Sequence, residues 1–323
     1  MSHPRTILIT GGAGFIGSNL ARSLISSGHN VVILDNFSTG LRSNIESLDL
    51  DVIDGTIFNK ETVSRAAKAV DLIIHLAARG SVPRSLKNPQ STFDINVQGT
   101  LNICEIARER DLPIVFSSSS SVYGGNTNSK KIEREWLSPL SPYAASKLSG
   151  EALLLSYAES FGIPTAVFRL FNVYGPGQRP EHQYSAVIPK WLWAAIQNEE
   201  LKVFGDGRTT RDFTFIDNVV EIFTRTALEE RFFDGVTNLA FGKPVTLLEV
   251  LSEIQKINQS VNFEHYETRK GDISSSENGS KRLIELFPDV TPIELSEGIK
   301  MTNGWLHAAR HEIETNPLVV SDD

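Results

Sequence analysis

A tyrosine and a lysine stand four residues apart at the start of a strongly helix-forming segment. Tyr143 and Lys147 follow Pro142, which lacks an amide hydrogen and suits the first turn of a helix. Side chains four residues apart lie on one helical face. An ammonium group stabilises a nearby phenolate, so we expect Lys147 to lower the pKa of Tyr143 and to make its phenol a base for an alcohol proton. The same spacing also describes an ordinary surface pair.

Five consecutive serines, 117–121, lie at the end of a predicted buried strand, residues 113–118. In an open α/β sheet, ligands bind beyond the carboxyl ends of the strands. A serine hydroxyl at that edge can hydrogen-bond a substrate oxygen as its proton leaves. The segment therefore offers candidate partners for Tyr143, with a loop of small polar residues as the alternative.

The N-terminal segment has the order strand, glycine turn, helix, strand and acid. A short apolar run at 6–10 leads into glycines within 11–17, a helix at 18–27, a strand at 30–34 and then Asp35. The glycines let the backbone approach a pyrophosphate at a helix N-terminus, and the acid about 20 residues later accepts hydrogen bonds from the ribose hydroxyls. A carboxylate at this place repels a 2'-phosphate, so we expect NAD rather than NADP.

The alternation of strands and helices continues along the first half of the chain. The predicted strands are 6–10, 30–34, 49–54, 71–76, 113–118 and 165–170, and the predicted helices are 18–27, 60–69, 91–110 and one that begins near Tyr143. This order predicts an α/β fold with a doubly wound (Rossmann) parallel sheet. After Phe171 the chain becomes turn-rich. We predict an NAD-binding domain at 1–170 and a smaller α/β substrate domain at 171–323, with an interleaved boundary and some strand material returning to the main sheet.

Composition excludes several other classes of protein. The chain has 323 residues, is 40% hydrophobic and carries a formal net charge of −8, with no dense stripe of basic residues for nucleic acid. Its single cysteine, Cys104, cannot form an internal disulfide, and no Cys/His cluster has metal-site spacing. Neither an apolar signal core nor a span long enough for a bilayer is present. We expect a cytoplasmic protein without a metal and without a membrane partner.

Together, the glycine turn, Asp35, Tyr143 and Lys147 resemble the extended short-chain dehydrogenase/reductases. Within that family the sequence is similar to the NAD-dependent nucleotide-sugar epimerases, and most of all to UDP-N-acetylglucosamine 4-epimerases and UDP-glucose 4-epimerases. The resemblance covers nearly the whole chain and includes the segments 75–78, 94–100 and 169–176. It implies that Ser119 is the catalytic serine beside Tyr143 and Lys147.

The resemblance also implies which residues hold the cofactor and the substrate. The implied NAD-binding residues are Gly11, Gly14, Phe15, Ile16, Gly17, Asp35, Asn36, Ser38, Thr39, Gly40, Thr56, Ile57, Leu76, Ala77, Ala78, Asn96, Ser117, Tyr143 and Lys147. The implied substrate residues are Ser81, Val82, Ser119, Ser120, Asn172, Val187, Ile188, Lys190, Val203, Phe204, Arg211, Arg269, Asp272 and Ser276. Among these, Arg211 and Arg269 would pair with diphosphate oxygens, and Asp272 would hold the uridine ribose.

The reaction is indicated by which residues follow the catalytic serine. Relatives that dehydrate or decarboxylate a sugar carry an acid there, whereas this chain has Ser120 and Ser121. Epimerisation at carbon 4 needs only one acid/base group, Tyr143. The family's residue beside the hexose falls on Ser276, which leaves room for an N-acetyl group, and this favours UDP-N-acetylglucosamine and UDP-N-acetylgalactosamine, with unacetylated hexoses also accepted. UDP-glucuronate 4-epimerase or decarboxylase, another dehydratase or reductase, and a non-catalytic NAD-sensing protein are the alternatives.

The sequence departs from the family pattern at two places. Thr56 replaces an aspartate that accepts from the adenine amino group, and residues 277–281 replace an acidic helical continuation after Ser276.

The helices predicted at 91–110 and near 143–161 carry apolar residues on more than one face. The resemblance implies a homodimer in which these helices form a four-helix bundle. The alternative is that one chain covers both faces.

Overall fold

The computed structural model describes residues 3–180, 186–267 and 275–316. The strands are β1 (Thr6–Thr10), β2 (Asn30–Asp35), β3 (Asp51–Asp54), β4 (Leu72–His75), β5 (Ile114–Ser119), β6 (Lys130–Lys131), β7 (Thr165–Leu170), β8 (Val173–Tyr174), β9 (Leu201–Phe204), β10 (Thr210–Asp212), β11 (Thr214–Phe215), β12 (Val236–Leu239), β13 (Pro244–Thr246), β14 (Phe263–Tyr266) and β15 (Ser275–Asn278). The helices are α1 (Phe15–Ser26), α2 (Lys60–Ala66), α3 (Val82–Lys87), α4 (Pro89–Phe93), α5 (Gly99–Arg110), α6 (Pro142–Phe161), α7 (Val187–Ile196), α8 (Ile216–Leu228), α9 (Leu247–Ile257), α10 (Arg282–Leu286), α11 (Leu295–Ala308) and α12 (Arg310–Thr315).

The main sheet has the strand order β3-β2-β1-β4-β5-β7-β12 within the described ranges. Each neighbouring pair in this sheet is parallel. One core cluster joins Ile7 and Ile9 of β1 to side chains of α1 and α8, and a second joins Leu8 to side chains of α5 and α6. Parallel strands buried on both faces are continuous apolar runs, as the sequence of β1 is. The predicted doubly wound parallel sheet is confirmed.

The second half of the chain builds its own layers but also extends the main sheet. Strand β12 pairs with β7, so residues 236–239 lie beside the first half of the chain. Strands β13, β10 and β15 form a four-stranded sheet together with β6 of the first half, and α7, α9 and α11 share a further apolar core. Strand material from beyond residue 171 therefore returns to the main sheet, while the domain boundary itself stays a prediction.

The helix predicted as one regular element at 91–110 differs from the structure. It begins at α4, with Pro89 in its first turn, and residues 94–98 form a π-helical turn before α5. Asn96 lies in that turn and is buried. Such π turns occur frequently at functional sites, where the wider turn changes the direction of a side chain. The prediction of a single regular helix was wrong because the turn depends on contacts made by Asn96, not on apolar periodicity.

Helix α6 begins and ends at residues suited to those positions. The Ser141 hydroxyl accepts a hydrogen bond from the backbone N–H of Ala144 at 3.1 Å, and Pro142 follows it as the first helical residue. Gly162 ends the helix in the left-handed conformation at φ 70°. The predicted helix start near Tyr143 is confirmed, and it fixes the direction in which Tyr143 and Lys147 leave the helix.

Candidate active site

A cavity of about 470 Å³ opens at the carboxyl ends of the first strands of the main sheet. The predicted cofactor residues that line it are Gly11, Gly14, Phe15, Ile16, Gly17, Asp35, Asn36, Ser38, Thr39, Gly40, Thr56, Ile57, Leu76, Ala77, Ala78 and Ser117. Ligands of doubly wound sheets bind at this edge. The structure therefore brings most of the predicted cofactor residues to one cavity.

The glycine turn and Asp35 fit a dinucleotide. A Cβ on Gly17 would lie 2.4 Å from the carbonyl oxygen of Gly11, so the backbone here is as close-packed as a pyrophosphate site requires. The Asp35 carboxylate accepts from the backbone N–H of Ala13 at 2.9 Å and from that of Phe37 at 2.8 Å. These bonds fix the carboxylate at the end of β2, where it can meet ribose hydroxyls. Burial raises the pKa of Asp35, and the two backbone bonds oppose that rise.

The cavity also has a lining that sequence reasoning missed. These residues are Leu34, Gly55, Arg79, Arg84, Ser91 and Ile95. Gly55 follows β3 directly, so the strand prediction itself pointed to it. Arg79 and Arg84 come from the segment after β4, and no acidic residue near them in the sequence signals a site. They reach the cavity only because the chain folds back there before α4.

The three predicted catalytic residues meet at the end of β5. The Ser119 side chain lies close enough to the Tyr143 phenol to lower its pKa. Lys147 is one helical turn further along α6, is 4% exposed, and has its Nζ 4.7 Å from the centre of the Phe116 ring. The neighbouring Ser118 hydroxyl donates instead to Glu151 at 2.5 Å. Ser118 is thus engaged elsewhere, which supports Ser119 as the serine that serves Tyr143.

The expected lowering of the Tyr143 pKa by Lys147 is not what the structure gives. Burial raises the pKa of the Tyr143 phenol, and the neighbouring Ser119 side chain opposes the rise. Burial also lowers the pKa of Lys147 to about 8, against the opposing charge of Glu151. The spacing of four predicted a shared helical face correctly but could not reveal that both groups are withdrawn from water.

Asn96 and His75 are buried residues whose hydrogen bonds connect the elements around the site. The Asn96 side chain accepts from the Arg79 backbone N–H at 2.6 Å and donates to the Ser146 hydroxyl at 2.9 Å. His75 is fully buried between Thr10 at 2.7 Å and Thr100 at 2.9 Å. Burial and the charge of Lys147 lower the pKa of His75 to about 3. Asn96 therefore links the segment after β4 to α6, rather than lining the cavity.

Two predicted substrate residues are neighbours across strands. Arg211 of β10 and Ser276 of β15 are paired in parallel register. Asn172, at a positive φ of 39°, donates from its side chain to the Asp212 carbonyl oxygen at 2.9 Å. Arg211, Ser276 and Asn172 therefore belong to one corner of the second half of the chain. The predicted partners Arg269 and Asp272 lie outside the described residues.

The other predicted substrate residues differ in how far they are buried. Ile188 and Val203 are fully buried in the apolar core of the second half, so any contact with a ligand is through their backbones. Phe204 faces Tyr266 with ring centres 5.8 Å apart. The residues Ser120, Val187, Lys190 and Val82 are half-buried or exposed.

Ser81 has an unusual backbone. Its φ is 93°, a region that residues with a side chain rarely adopt, and its hydroxyl caps α3 by accepting from the Arg84 backbone N–H at 3.4 Å. Strain of this kind persists where the surrounding structure enforces it, often at functional sites. Ser81 is a predicted substrate residue, so its strained position agrees with that prediction.

The described residues hold neither a bilayer-spanning helix nor a cluster of metal ligands. None of the helices there is long and apolar enough to cross a bilayer. No group of three or more His, Cys, Asp or Glu side chains in those ranges could hold a metal ion.

The fold and the cavity define a dinucleotide-dependent enzyme of the doubly wound class, and comparisons with known proteins agree. The NAD dependent epimerase/dehydratase family matches residues 7–239. A putative UDP-glucose 4-epimerase of Methanocaldococcus jannaschii is 34% identical over 307 residues, which span 93% of this chain and 98% of that protein. The chain belongs to the NAD dependent epimerase/dehydratase family, and the predictions of the family and of NAD as cofactor are confirmed.

Solved structures give the same result. UDP-N-acetylglucosamine 4-epimerase from Methanobrevibacter ruminantium M1, in complex with UDP-N-acetylmuramic acid, is 32% identical with a TM-score of 0.89, over 95% of this chain and 99% of that one. UDP-glucuronic acid 4-epimerase from Bacillus cereus, in complex with UDP-glucuronic acid and NAD, is 30% identical with a TM-score of 0.86, over 94% and 99%. Similar proteins thus act on more than one sugar.

Proposed function

We propose that the protein is an NAD-dependent 4-epimerase of UDP-sugars, with UDP-N-acetylglucosamine and UDP-N-acetylgalactosamine as its principal pair and UDP-glucose and UDP-galactose also accepted. The observation that carries the proposal is that Ser119, at the end of β5, lies beside the buried Tyr143 phenol, with Lys147 one turn further along α6. The similarity to a UDP-N-acetylglucosamine 4-epimerase supports the choice of sugar. The position of Ser276 opposite Arg211, with a small side chain where the sugar is expected, supports it further.

In this proposal Tyr143 moves the proton. Its phenolic oxygen takes the proton from the hydroxyl on sugar carbon 4, and Ser119 holds that hydroxyl in line. When bound, NAD supplies a nicotinamide ring that accepts a hydride from carbon 4 and returns it. Burial raises the Tyr143 pKa and the neighbouring Ser119 opposes that rise. In this proposal the Lys147 cation, one turn further along α6, favours the phenolate as the proton moves. The 4-keto sugar rotates in the pocket and presents its opposite face, so that the hydride returns to that face and inverts carbon 4 while Tyr143 gives the proton back to the carbon-4 oxygen.

The residues around Ser119 favour epimerisation over elimination. Ser120 and Ser121 follow it, and neither can act as the second acid that a dehydration needs. The buried Glu151 carboxylate, which Ser118 contacts, is already bound to that serine and to Arg169. One acid/base group at the reacting carbon is what a 4-epimerisation requires.

A second candidate, UDP-glucuronate 4-epimerisation, is favoured by one observation. The buried Ser121 hydroxyl has no hydrogen-bond partner in the part of the chain that the structure describes. Together with Ser119 and Ser120 it offers a row of hydroxyl donors at the end of β5, and such donors suit a carboxylate on the sugar. The similarity to a UDP-glucuronic acid 4-epimerase agrees with this candidate.

Proton NMR of the purified protein with no added cofactor tests both candidates. UDP-N-acetylglucosamine, UDP-glucose and UDP-glucuronate are incubated separately, and the signals of each 4-epimer are followed. We expect conversion of UDP-N-acetylglucosamine to be fastest. Faster conversion of UDP-glucuronate would replace the first candidate by the second. No conversion of any of the three, with NAD then supplied, would reject the proposed UDP-sugar epimerisation.

The role of Tyr143 is tested by Tyr143→Phe. We expect this variant to retain NAD and to lose turnover by at least about a hundredfold, because the proton acceptor is gone. Tyr157→Phe is the matched control, since Tyr157 lies on the same helix and donates to Glu105 at 2.6 Å, away from the cavity. An active Tyr143→Phe variant would show that another group moves the proton.

The homodimer is also a proposal. Phe93, Val97 and Leu101 follow one another at intervals of four along the helical run α4–α5, and Phe93 is 37% exposed. We expect Phe93→Glu to shift the protein from dimer to monomer in light scattering after size exclusion. Phe263→Glu, at a phenylalanine that is 39% exposed on β14, is the control and should leave the dimer intact.

A further inference from the structure

Glu151 continues the line of catalytic residues along α6. Tyr143, Lys147 and Glu151 follow one another at intervals of four, which places them on one face of the helix. Glu151 is 2% exposed, and this burial is exceptional for a carboxylate. A charged group held so deep in the fold costs free energy, so its partners need an explanation.

A buried clamp holds the Glu151 carboxylate. Arg169 of β7 donates to both of its oxygens, from Nε at 2.9 Å and from Nη2 at 2.7 Å. Ser118 of β5 donates to the same carboxylate at 2.5 Å. Bidentate pairing with a guanidinium fixes both the position and the orientation of a carboxylate. Because Ser118 adjoins Ser119, the clamp also fixes the strand end that presents Ser119 to Tyr143.

Glu151 supplies a negative charge that acts on the buried Lys147 ammonium. Phe116 of β5 lies beneath Nζ at 4.7 Å, His75 of β4 is nearby and neutral, and Tyr143 shares the helix. Burial pushes Lys147 toward its neutral form, and the Glu151 carboxylate opposes this. A neutral lysine would no longer favour the Tyr143 phenolate.

We propose that Glu151 is a positioning residue of the reaction: clamped by Arg169, its carboxylate keeps Lys147 a cation, and through Ser118 it fixes Ser119 opposite Tyr143. The inference deepens the proposed epimerase function and rests on it. Glu151 itself does not touch the sugar. Its effect passes through Lys147 and through the end of β5.

The test measures the charge of Lys147 directly. The pKa of the Lys147 ammonium is followed by NMR of protein with isotope-labelled lysine, and its signal is assigned by comparison with Lys147→Met. We expect Glu151→Gln to lower that pKa by on the order of one unit. The alkaline limb of the kcat profile for the UDP-sugar should move to lower pH by the same amount. Glu151→Asp keeps the charge and should leave both values near those of the wild type.

A second variant guards against misfolding. Glu151→Gln leaves the buried Arg169 guanidinium unpaired, whereas Glu151→Gln combined with Arg169→Gln removes both charges. The double variant should fold and bind NAD, and because it also loses the Arg169 cation, its Lys147 pKa should lie between those of Glu151→Gln and the wild type. An unchanged Lys147 pKa in folded, NAD-bound Glu151→Gln would overturn the proposal, even if kcat falls. Since the NMR titration needs no substrate, absence of UDP-sugar turnover in the wild type would reject the proposed function and leave the test of Glu151 intact.

Discussion

Gly150 is the residue at which α6 packs directly against Phe116, so its replacement by alanine should change both the stability of the protein and the position of Lys147. A Cβ on Gly150 would lie 2.7 Å from Cζ of Phe116. Phe116 is 2% exposed. The centre of its ring lies 4.7 Å from the Lys147 Nζ and 5.4 Å from the centre of the His75 ring. To reach an ordinary separation of 3.4 Å the ring must retreat by about 0.7 Å, into a space that Lys147 and His75 already fill.

Two opposing free energies decide the stability of Gly150→Ala. Alanine is favoured over glycine inside a helix by about 1 kcal/mol. Overpacking a filled core costs about 1–3 kcal/mol. Gly304→Ala is the matched control, because Gly304 is helical in α11 and exposed, and a Cβ there meets nothing within 4 Å. We therefore expect Gly304→Ala to stabilise the protein and Gly150→Ala to be less stable than that control by about 1–3 kcal/mol.

Urea unfolding of the NAD-loaded protein measures the difference, and kcat measures the effect on the site. A displaced Phe116 moves Lys147, so we expect kcat of Gly150→Ala to fall about tenfold or more. Phe116→Leu removes the clashing ring carbon, and the double variant should recover part of both losses as a positive coupling. Equal stability of Gly150→Ala and Gly304→Ala, with unchanged kcat, would refute this account of the packing.

Two further predictions concern Ser81 and His75. Ser81→Gly should raise the free energy of unfolding by about 1 kcal/mol, because glycine accepts φ 93° without strain. Ser81→Ala keeps the strain and loses the helix cap, so it should be less stable than the wild type. A glycine variant less stable than the wild type in urea unfolding would contradict this account. The pKa of His75 is lowered to about 3, so its contribution to stability is complete above the unfolded value near 6.5 and is lost as the pH falls toward 3. Between pH 6.5 and 4.5 this loss is about 2 kcal/mol, and a matching pH slope in His75→Gln would disprove the assignment.

The sequence was most informative where secondary structure is determined locally. Strands β1 and β7 have the predicted bounds, Thr6–Thr10 and Thr165–Leu170, because short apolar runs are the direct signature of buried parallel strands. The start of α6 was predictable from Ser141 and Pro142, which suit a cap and a first turn. The glycine turn followed by Asp35 predicted the cofactor cavity, because a tight turn that a pyrophosphate can approach needs glycines and a ribose-binding position needs an acid.

Contacts between distant segments were not predictable in this way. The π turn at 94–98 depends on Asn96 reaching Arg79 and Ser146, which belong to other parts of the chain. The raised pKa of Tyr143 depends on burial, which a spacing of four residues does not report. The pairing of Glu151 with Arg169 arises because β7 lies beside β5 in the sheet, and strand order is a property of the fold rather than of local pattern.

The return of β12 to the main sheet links the surroundings of Lys147 to those of Ser276 through buried hydrogen bonds. Arg169 extends from the Glu151 clamp and donates to the Tyr123 hydroxyl at 2.9 Å, which donates in turn to Asn238 of β12 at 2.8 Å. Asn238 then donates to Asn278 of β15 at 3.1 Å. Asn278 lies two residues beyond Ser276, so the buried network runs from the neighbour of Lys147 to the neighbour of the expected sugar pocket. A buried network whose members are hydrogen-bonded resists deformation, so the proposed acid/base residues and the expected sugar pocket hold a fixed spacing because β12 joins them.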